Sequence, residues 1–194
     1  MMHPLSRAIR TMLRVEAPDD ATLVARAQDG DLDAFAELVR RHESRVRAVL
    51  LRLLDDDRDV EEAVQDTFVQ AWRHLDRFRG EAQLFTWLYR IATNEAFMRR
   101  RRKRPQTVEL EDEMVGSAVG TDAAAETSDV REFLLARIRE LPFEYRAPLV
   151  LRDVEGLSNQ EVADVLDISL AAAKSRIHRA RMRIRAALEE RETA

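Results

Sequence analysis

The 194-residue chain contains no cysteine, which removes disulfides, thiolate metal sites and cysteine nucleophiles and fits a reducing compartment. Glycine and proline are scarce, five of each, too few for the many tight turns of a β-rich fold, so an all-α fold is expected. The four histidines (His3, His42, His74 and His178) are far apart in sequence and show no His-x-x-x-His spacing. Neither a metal site nor a cofactor is expected from them. No apolar run approaches the roughly 18 residues of a membrane span, and the first residues lack the apolar core of a signal peptide. The reading is a cytoplasmic protein without direct membrane insertion.

Charge is plentiful instead. Charged residues make up 35% of the chain, with a formal net charge of −4, a sign that by itself disfavours nucleic acid, but the charges are segregated. Residues 55–66 hold seven acids against Arg58 alone, and 99–104 are all Arg or Lys. Residues 105–130 hold seven acids and no base, whereas 174–185 hold six Lys or Arg and no acid. Such blocks predict separate surfaces for separate partners.

Residues 1–18 read as a flexible N-terminal extension. From Leu32, Phe35, Val39, Val46, Val49, Leu50 and Leu53 recur at helical spacing, and a second stripe runs through Val60, Ala63, Val64, Thr67, Phe68, Ala71, Trp72 and Leu75, with an aspartate of the 55–57 cluster as N-cap. Gly80 interrupts the pattern before a third helix that starts near Leu84 and runs into the arginine block. These helices make a first domain over 19–104. Pro105 ends it, and 105–127, which has no aromatic residue, reads as a flexible acidic linker. A second small helical domain over 128–194 contains a helix-turn-helix. Ser158 and Glu161 form a capping box, Asp167-Ile168-Ser169 is the turn, and the last helix buries Ala173, Ile177, Ala180, Ile184 and Leu188. Pro142 suits the first turn of the helix preceding the helix-turn-helix, and Pro148, interior to that same helix, predicts that it is kinked or starts late.

The last helix surrounds its apolar stripe with Lys174, Ser175, Arg176, His178, Arg179 and Arg181, donors suited to phosphates and base edges in a major groove. Seven of the eleven aromatics fall between Phe68 and Phe97, interleaved with arginine, the combination on which unpaired bases stack. The acidic second helix repels phosphate and is expected to face a basic protein surface.

Two stretches resemble a known family. Asp59-Val-Glu-Glu-Ala-Val-Gln-Asp-Thr-Phe-Val-Gln-Ala-Trp72, followed by Phe78-Arg-Gly-Glu-Ala-Gln-Leu-Phe-Thr-Trp-Leu-Tyr-Arg-Ile-Ala-Thr-Asn94, is similar to region 2 of the extracytoplasmic-function (ECF) sigma factors. Leu141-Pro142, Asp153-Val-Glu-Gly-Leu-Ser-Asn-Gln-Glu-Val-Ala163 and Lys174-Ser-Arg-Ile-His-Arg-Ala-Arg181 resemble their region 4. The resemblance implies a promoter-specificity subunit without catalysis of its own. It assigns core RNA polymerase binding, on the β′ clamp helices, to Asp59, Glu62, Gln65 and Asp66. It assigns the −10 element to Arg79, Gly80, Gln83, Phe85, Trp87, Arg90 and Asn94. The −35 element falls to Lys174, Ser175, Arg176, His178, Arg179 and Arg181, with region 4 also docking on the β flap. Promoter DNA, core polymerase and an anti-sigma factor are the implied partners. Two departures stand out: Asp167 occupies a turn position where the family usually has Gly, and Ala171-Ala172-Ala173 replaces a Val-Gly-Thr-Val run. The −35 sequence is therefore not carried over.

A stand-alone helix-turn-helix regulator, dimeric on a palindrome, would explain residues 141–188 equally well but leaves the first domain without a role. A nuclease built on the Asp/Glu cluster would need metal ligands converging from several segments, and the sequence offers none.

Overall fold

A computed structural model describes residues 18–80, 83–103 and 126–193. Among these residues every regular element is helical. The extension over 1–18, apart from Pro18, and the linker over 105–127, apart from its last two residues, lie outside them.

The N-terminal group opens with α1 (Asp20–Gln28), a helix that the sequence reading does not place. Asp19 caps it, its carboxylate accepting the Thr22 N–H at 2.8 Å, and Leu23, Val24 and Ala27 face the core. At nine residues its periodicity is too short to stand out, and tertiary packing holds it. Helix α2 (Leu32–Leu53) follows, capped by Asp31, and α3 (Asp57–Arg73) is capped by Asp56. Most of the expected stripes are buried, including Val46, Val49, Leu50, Val60, Val64 and Phe68, while Phe35 and Val39 are half-buried and Trp72, at the end of its stripe, is exposed and packs its ring 4.9 Å from that of Phe35. A short 3-10 turn at Leu75–Arg77 leads to Gly80, and α4 spans Leu84–Lys103.

The C-terminal group comprises α5 (Glu126–Glu140), α6 (Phe143–Leu149), α7 (Asn159–Leu166) and α8 (Leu170–Thr193). Pro148 lies inside α6, and the disturbance expected of it falls just downstream. Residues 150–154 form a π turn in which the Glu155 N–H reaches the Val150 carbonyl, five residues back, at 3.0 Å. The Ser158/Glu161 capping box forms in both directions, 3.1 Å and 2.7 Å, and starts α7. Asp167 ends α7 at φ 53° and ψ 48°, a left-handed conformation for which asparagine and aspartate are the tolerated non-glycine choices. Ser169 then caps α8 by accepting the Ala172 N–H at 3.1 Å.

The two groups share one continuous apolar core. Ala147, Val150, Leu151, Leu157, Val162 and Ala163 of the C-terminal group belong to the same cluster as Val49, Leu53, Tyr89 and Ala92. A smaller cluster of Leu141, Leu149 and Ala180 fixes α6 against α8.

Candidate protein and nucleic-acid interfaces

The helix-turn-helix presents a well-defined outer face. Ala173, Ile177 and Ala180 are buried, so at 100° per residue Lys174, Ser175, His178 and Arg179 point away from the core. All four are exposed. Arg176 and Arg181 fall on the flanks of that face. Arg176 is half-buried, and Arg181 is held by Asp153, with Nε donating to Oδ2 at 2.9 Å and Nη2 to the other carboxylate oxygen. Asp153 thereby fixes the flank of the helix, and that bond raises the pKa of the guanidinium above its ordinary value.

A second basic and aromatic surface lies where the 3-10 turn meets α4. The Gln28 amide donates to the carbonyls of Leu75 and Phe78, both at 2.9 Å, so α1 holds the turn that delivers Arg79 and Gly80. Gly80 has φ +73°, which a side chain would strain. Gln83, Trp87, Arg90 and Asn94 follow at intervals of four, three and four, one stripe along α4. Gln83, Arg90 and Asn94 are exposed, and Trp87 is half-buried with its ring 5.3 Å from that of Phe78. Phe85 is not on this stripe: its ring meets Tyr89 at 5.8 Å and lies under the Arg45 guanidinium at 4.7 Å. Of the seven aromatics, Phe68 and Tyr89 are core residues.

The acidic face of α3 is exposed at Glu62 and Asp66, while Asp59 is half-buried, and it is not unpartnered. Helices α3 and α4 run antiparallel, so the basic end of α4 lies along it. Arg99 pairs with Asp66 and with Glu62, the latter at 3.7 Å, and Lys103 pairs with Asp59 at 2.5 Å and Asp56 at 3.4 Å. Gln65 is exposed beside them. Bonds from the Asp59 and Arg58 backbone N–H groups, and then Lys103, hold the Asp56 carboxyl below the usual range. Among the described residues of the arginine block, Arg101 and Arg102 are exposed, as is the paired Lys103. Charge segregation alone did not reveal that two opposite blocks would meet; only the helix pairing does.

Sequence reading also missed two polar contacts between the helical groups. Arg146, 2% exposed, donates from Nη1 to Asp55 Oδ1 at 2.8 Å and to the Leu53 carbonyl at 3.3 Å, and from Nε to the Leu141 carbonyl at 3.2 Å. Burial pushes its guanidinium down and Asp55 opposes that shift. The fully buried Tyr89 donates its hydroxyl to Glu155 Oε2 at 2.6 Å, and burial, with Glu155 adding to it, pushes the phenol far above its usual range.

A helix-turn-helix whose outer face is cationic, joined to a second basic surface and an acidic face, defines a DNA-binding architecture with room for a protein partner. Residues 38–106 match Sigma-70 region 2, and residues 132–184 match Sigma-70 region 4. The ECF RNA polymerase sigma-E factors of Haemophilus influenzae and of Escherichia coli K12 are 34% and 35% identical to the chain over 173 residues, 84% of this chain and 91% and 90% of theirs. Among solved structures, CnrH, determined in complex with the cytosolic domain of CnrY, superposes with a TM-score of 0.66 at 29% identity, over 88% of this chain and 97% of that one. The sigma factor RpoE of Bartonella quintana, solved with the anti-sigma factor NepR, shares the fold at a TM-score of 0.62 and 24% identity, over 80% of this chain and 96% of that one. The chain belongs to the ECF sigma factor family.

Proposed function

We propose that this sigma factor binds core RNA polymerase through the acidic face of α3, captures the −10 element with the turn at Arg79 and the outer stripe of α4, and reads the −35 element with the start of α8. Asp59, Glu62, Gln65 and Asp66 offer the polymerase a dense negative face that favours a basic partner. Gln83, Trp87, Arg90 and Asn94 place an aromatic ring, a cation and an amide along one edge, the groups needed to stack a displaced base, hold its phosphate and bond its edge. Lys174, Ser175, His178 and Arg179 enter the major groove. The single observation that carries this reading is the α8 face, on which four exposed donors lie opposite a buried apolar stripe in a chain whose two halves match sigma regions 2 and 4.

The protein works in the cytoplasm as a specificity subunit and catalyses nothing itself, and an anti-sigma factor restrains it. Among the described residues, no helix is long and apolar enough to cross a membrane. Reconstitution tests the reading. Core polymerase supplied with this chain should initiate at discrete promoters that core polymerase alone ignores, while the isolated chain, with its net charge of −4, binds the same duplexes weakly. Tight sequence-specific binding by the chain alone, with no effect on core polymerase, would establish a stand-alone regulator instead.

A further inference from the structure

Helix α2 carries five arginines, and among the described residues four of them are tied to carboxylates. Arg40 pairs with Glu37, Arg41 with Glu37 and Asp20, Arg47 with Glu43 and Glu61, and Arg52 with Glu155 at 3.8 Å. Arg45 is the exception. It is exposed, and its guanidinium lies against aromatic rings instead, 4.7 Å from the centre of Phe85 and 5.9 Å from that of Tyr89. The two rings meet edge to face at 5.8 Å. Tyr89 is fully buried and its hydroxyl is bonded to Glu155, so the half-buried Phe85 has a fixed backing. Phe85 follows Gln83 by two residues, about 200° around α4 and about 3 Å along it. The Arg45–Phe85 pair therefore stands on the flank of α4 opposite the Gln83–Asn94 stripe, at the same end of the helix and just after the turn that delivers Arg79 and Gly80.

We propose that Arg45 and Phe85 form a second stacking site for unpaired DNA, which holds one further base of the −10 strand next to the base taken by the α4 stripe. This rests on the sigma factor reading above. A strand gripped on one flank of α4 reaches the other by passing round the start of the helix, about 10 Å across. There it meets a guanidinium and a ring, the two planar groups on which bases of any identity stack, and guanidinium N–H groups that donate to phosphate. Neither group carries an acceptor, and the ring has no donor, so the site holds a base without reading its edge. Its contribution is affinity for the open strand and not sequence preference. In a closed duplex the bases are stacked on one another and out of reach, so the site acts only after melting.

The test uses reconstituted holoenzyme on a premelted promoter template whose open −10 strand carries an abasic site at one position after another. Wild type should show one position, distinct from the one that responds to Asn94→Ala, where removing the base weakens binding by about tenfold while exchanging it for another base does not. In Arg45→Ala and in Phe85→Leu the complex should start weaker by about the same factor, and base removal at that position should cost nothing more. Arg45→Lys keeps the charge but loses the planar face, so it should match Arg45→Ala at that position while retaining the wild-type salt dependence. Binding to duplex −35 DNA should be unchanged in all three variants. Losses spread evenly over the strand, or an equal loss on duplex −35 DNA, would mean that the pair merely braces α2 against α4 and would overturn the proposal. If the wild-type chain directs core polymerase to no promoter, it is the sigma factor reading that fails, and the isolated chain then decides the stacking site. Its binding to a single-stranded oligonucleotide containing 2-aminopurine should quench the fluorescent base, and the quench should be lost in Arg45→Ala and Phe85→Leu. Quenching that is absent in wild type, or unchanged in both variants, overturns the site.

Discussion

Asp66 and Arg99, 33 positions apart in sequence, meet across the antiparallel pair α3 and α4, and the same guanidinium, 10% exposed, also reaches Glu62. The proposed polymerase face is thus partly satisfied from within, and a partner must outcompete α4 for it. The pair Glu62→Lys and Asp66→Lys should abolish retention of core polymerase in a pull-down, a loss of at least about 3 kcal/mol, while circular dichroism shows the helices intact. Retention at the wild-type level would remove this face from the interface. Arg99→Ala, which relieves both carboxylates of their internal partner, should keep or raise the association.

The outer face of α8 predicts a graded response. Lys174→Ala and Arg179→Ala should each weaken holoenzyme binding to −35 duplex by about 1–3 kcal/mol. Arg181→Ala should cost less in DNA binding and more in thermal stability, because Asp153 already holds that guanidinium. Equal losses of affinity at all three positions would contradict the division between face and flank.

Asn94 lies on the α4 stripe, far from α8, so its loss should look different. Asn94→Ala should leave initial duplex binding in place while strand opening and discrimination at the −10 element suffer. A template with a premelted bubble should restore opening without restoring base preference. A fall in affinity for −35 duplex with −10 preference unchanged would place Asn94 outside a base pocket.

Most of the helices were legible because long amphipathic segments carry their own periodicity: Val46 to Leu53, Val60 to Ala71 and Ala173 to Ala180 are buried where the pattern put them. The capping box at Ser158 was legible for a local reason, since both of its partners lie within four residues. Helix α1 was hidden by its brevity. The partners of Asp55, Asp66 and Glu155 were hidden because each contact spans 33 or more positions. Charge blocks announce that a surface exists, but whether it faces solvent or another block depends on which helices pair. Phe85 shows the same limit from the other side, its place beside Tyr89 and Arg45 following from the packing of α2 on α4 and not from its position in the motif.

Asp167 offers a test of backbone strain. A left-handed residue with a side chain costs about 1–2 kcal/mol relative to the right-handed form, a penalty that aspartate softens and glycine escapes. Asp167→Gly should hold or raise the melting temperature and Asp167→Val should lower it, with the −35 preference unaltered in the glycine variant. Stabilisation by valine would contradict the observed φ of 53°.

Acid sensitivity follows from the caps. The Ser158 backbone and hydroxyl bonds hold the Glu161 carboxyl below the ordinary glutamate range. Since the folded value is depressed, its contribution is complete above the unfolded pKa and is lost as pH falls through the folded one. The melting-temperature gap between wild type and Glu161→Ala should therefore be constant near neutrality and close as the pH drops below about 4.3, the reference glutamate value. A gap that persists into strong acid would mean that the carboxylate is not what caps α7.

The π turn after Pro148 holds one residue more than an α-helical turn. At 100° of rotation per residue, that surplus sets the angular phase of everything downstream of α6. Deleting a single residue from 150–154 would let the helix wind regularly, yet would swing Asp153 away from Arg181 and Glu155 away from Tyr89 in one step. The segment therefore resists insertion and deletion more than substitution, and related chains should vary here in composition while keeping a constant length.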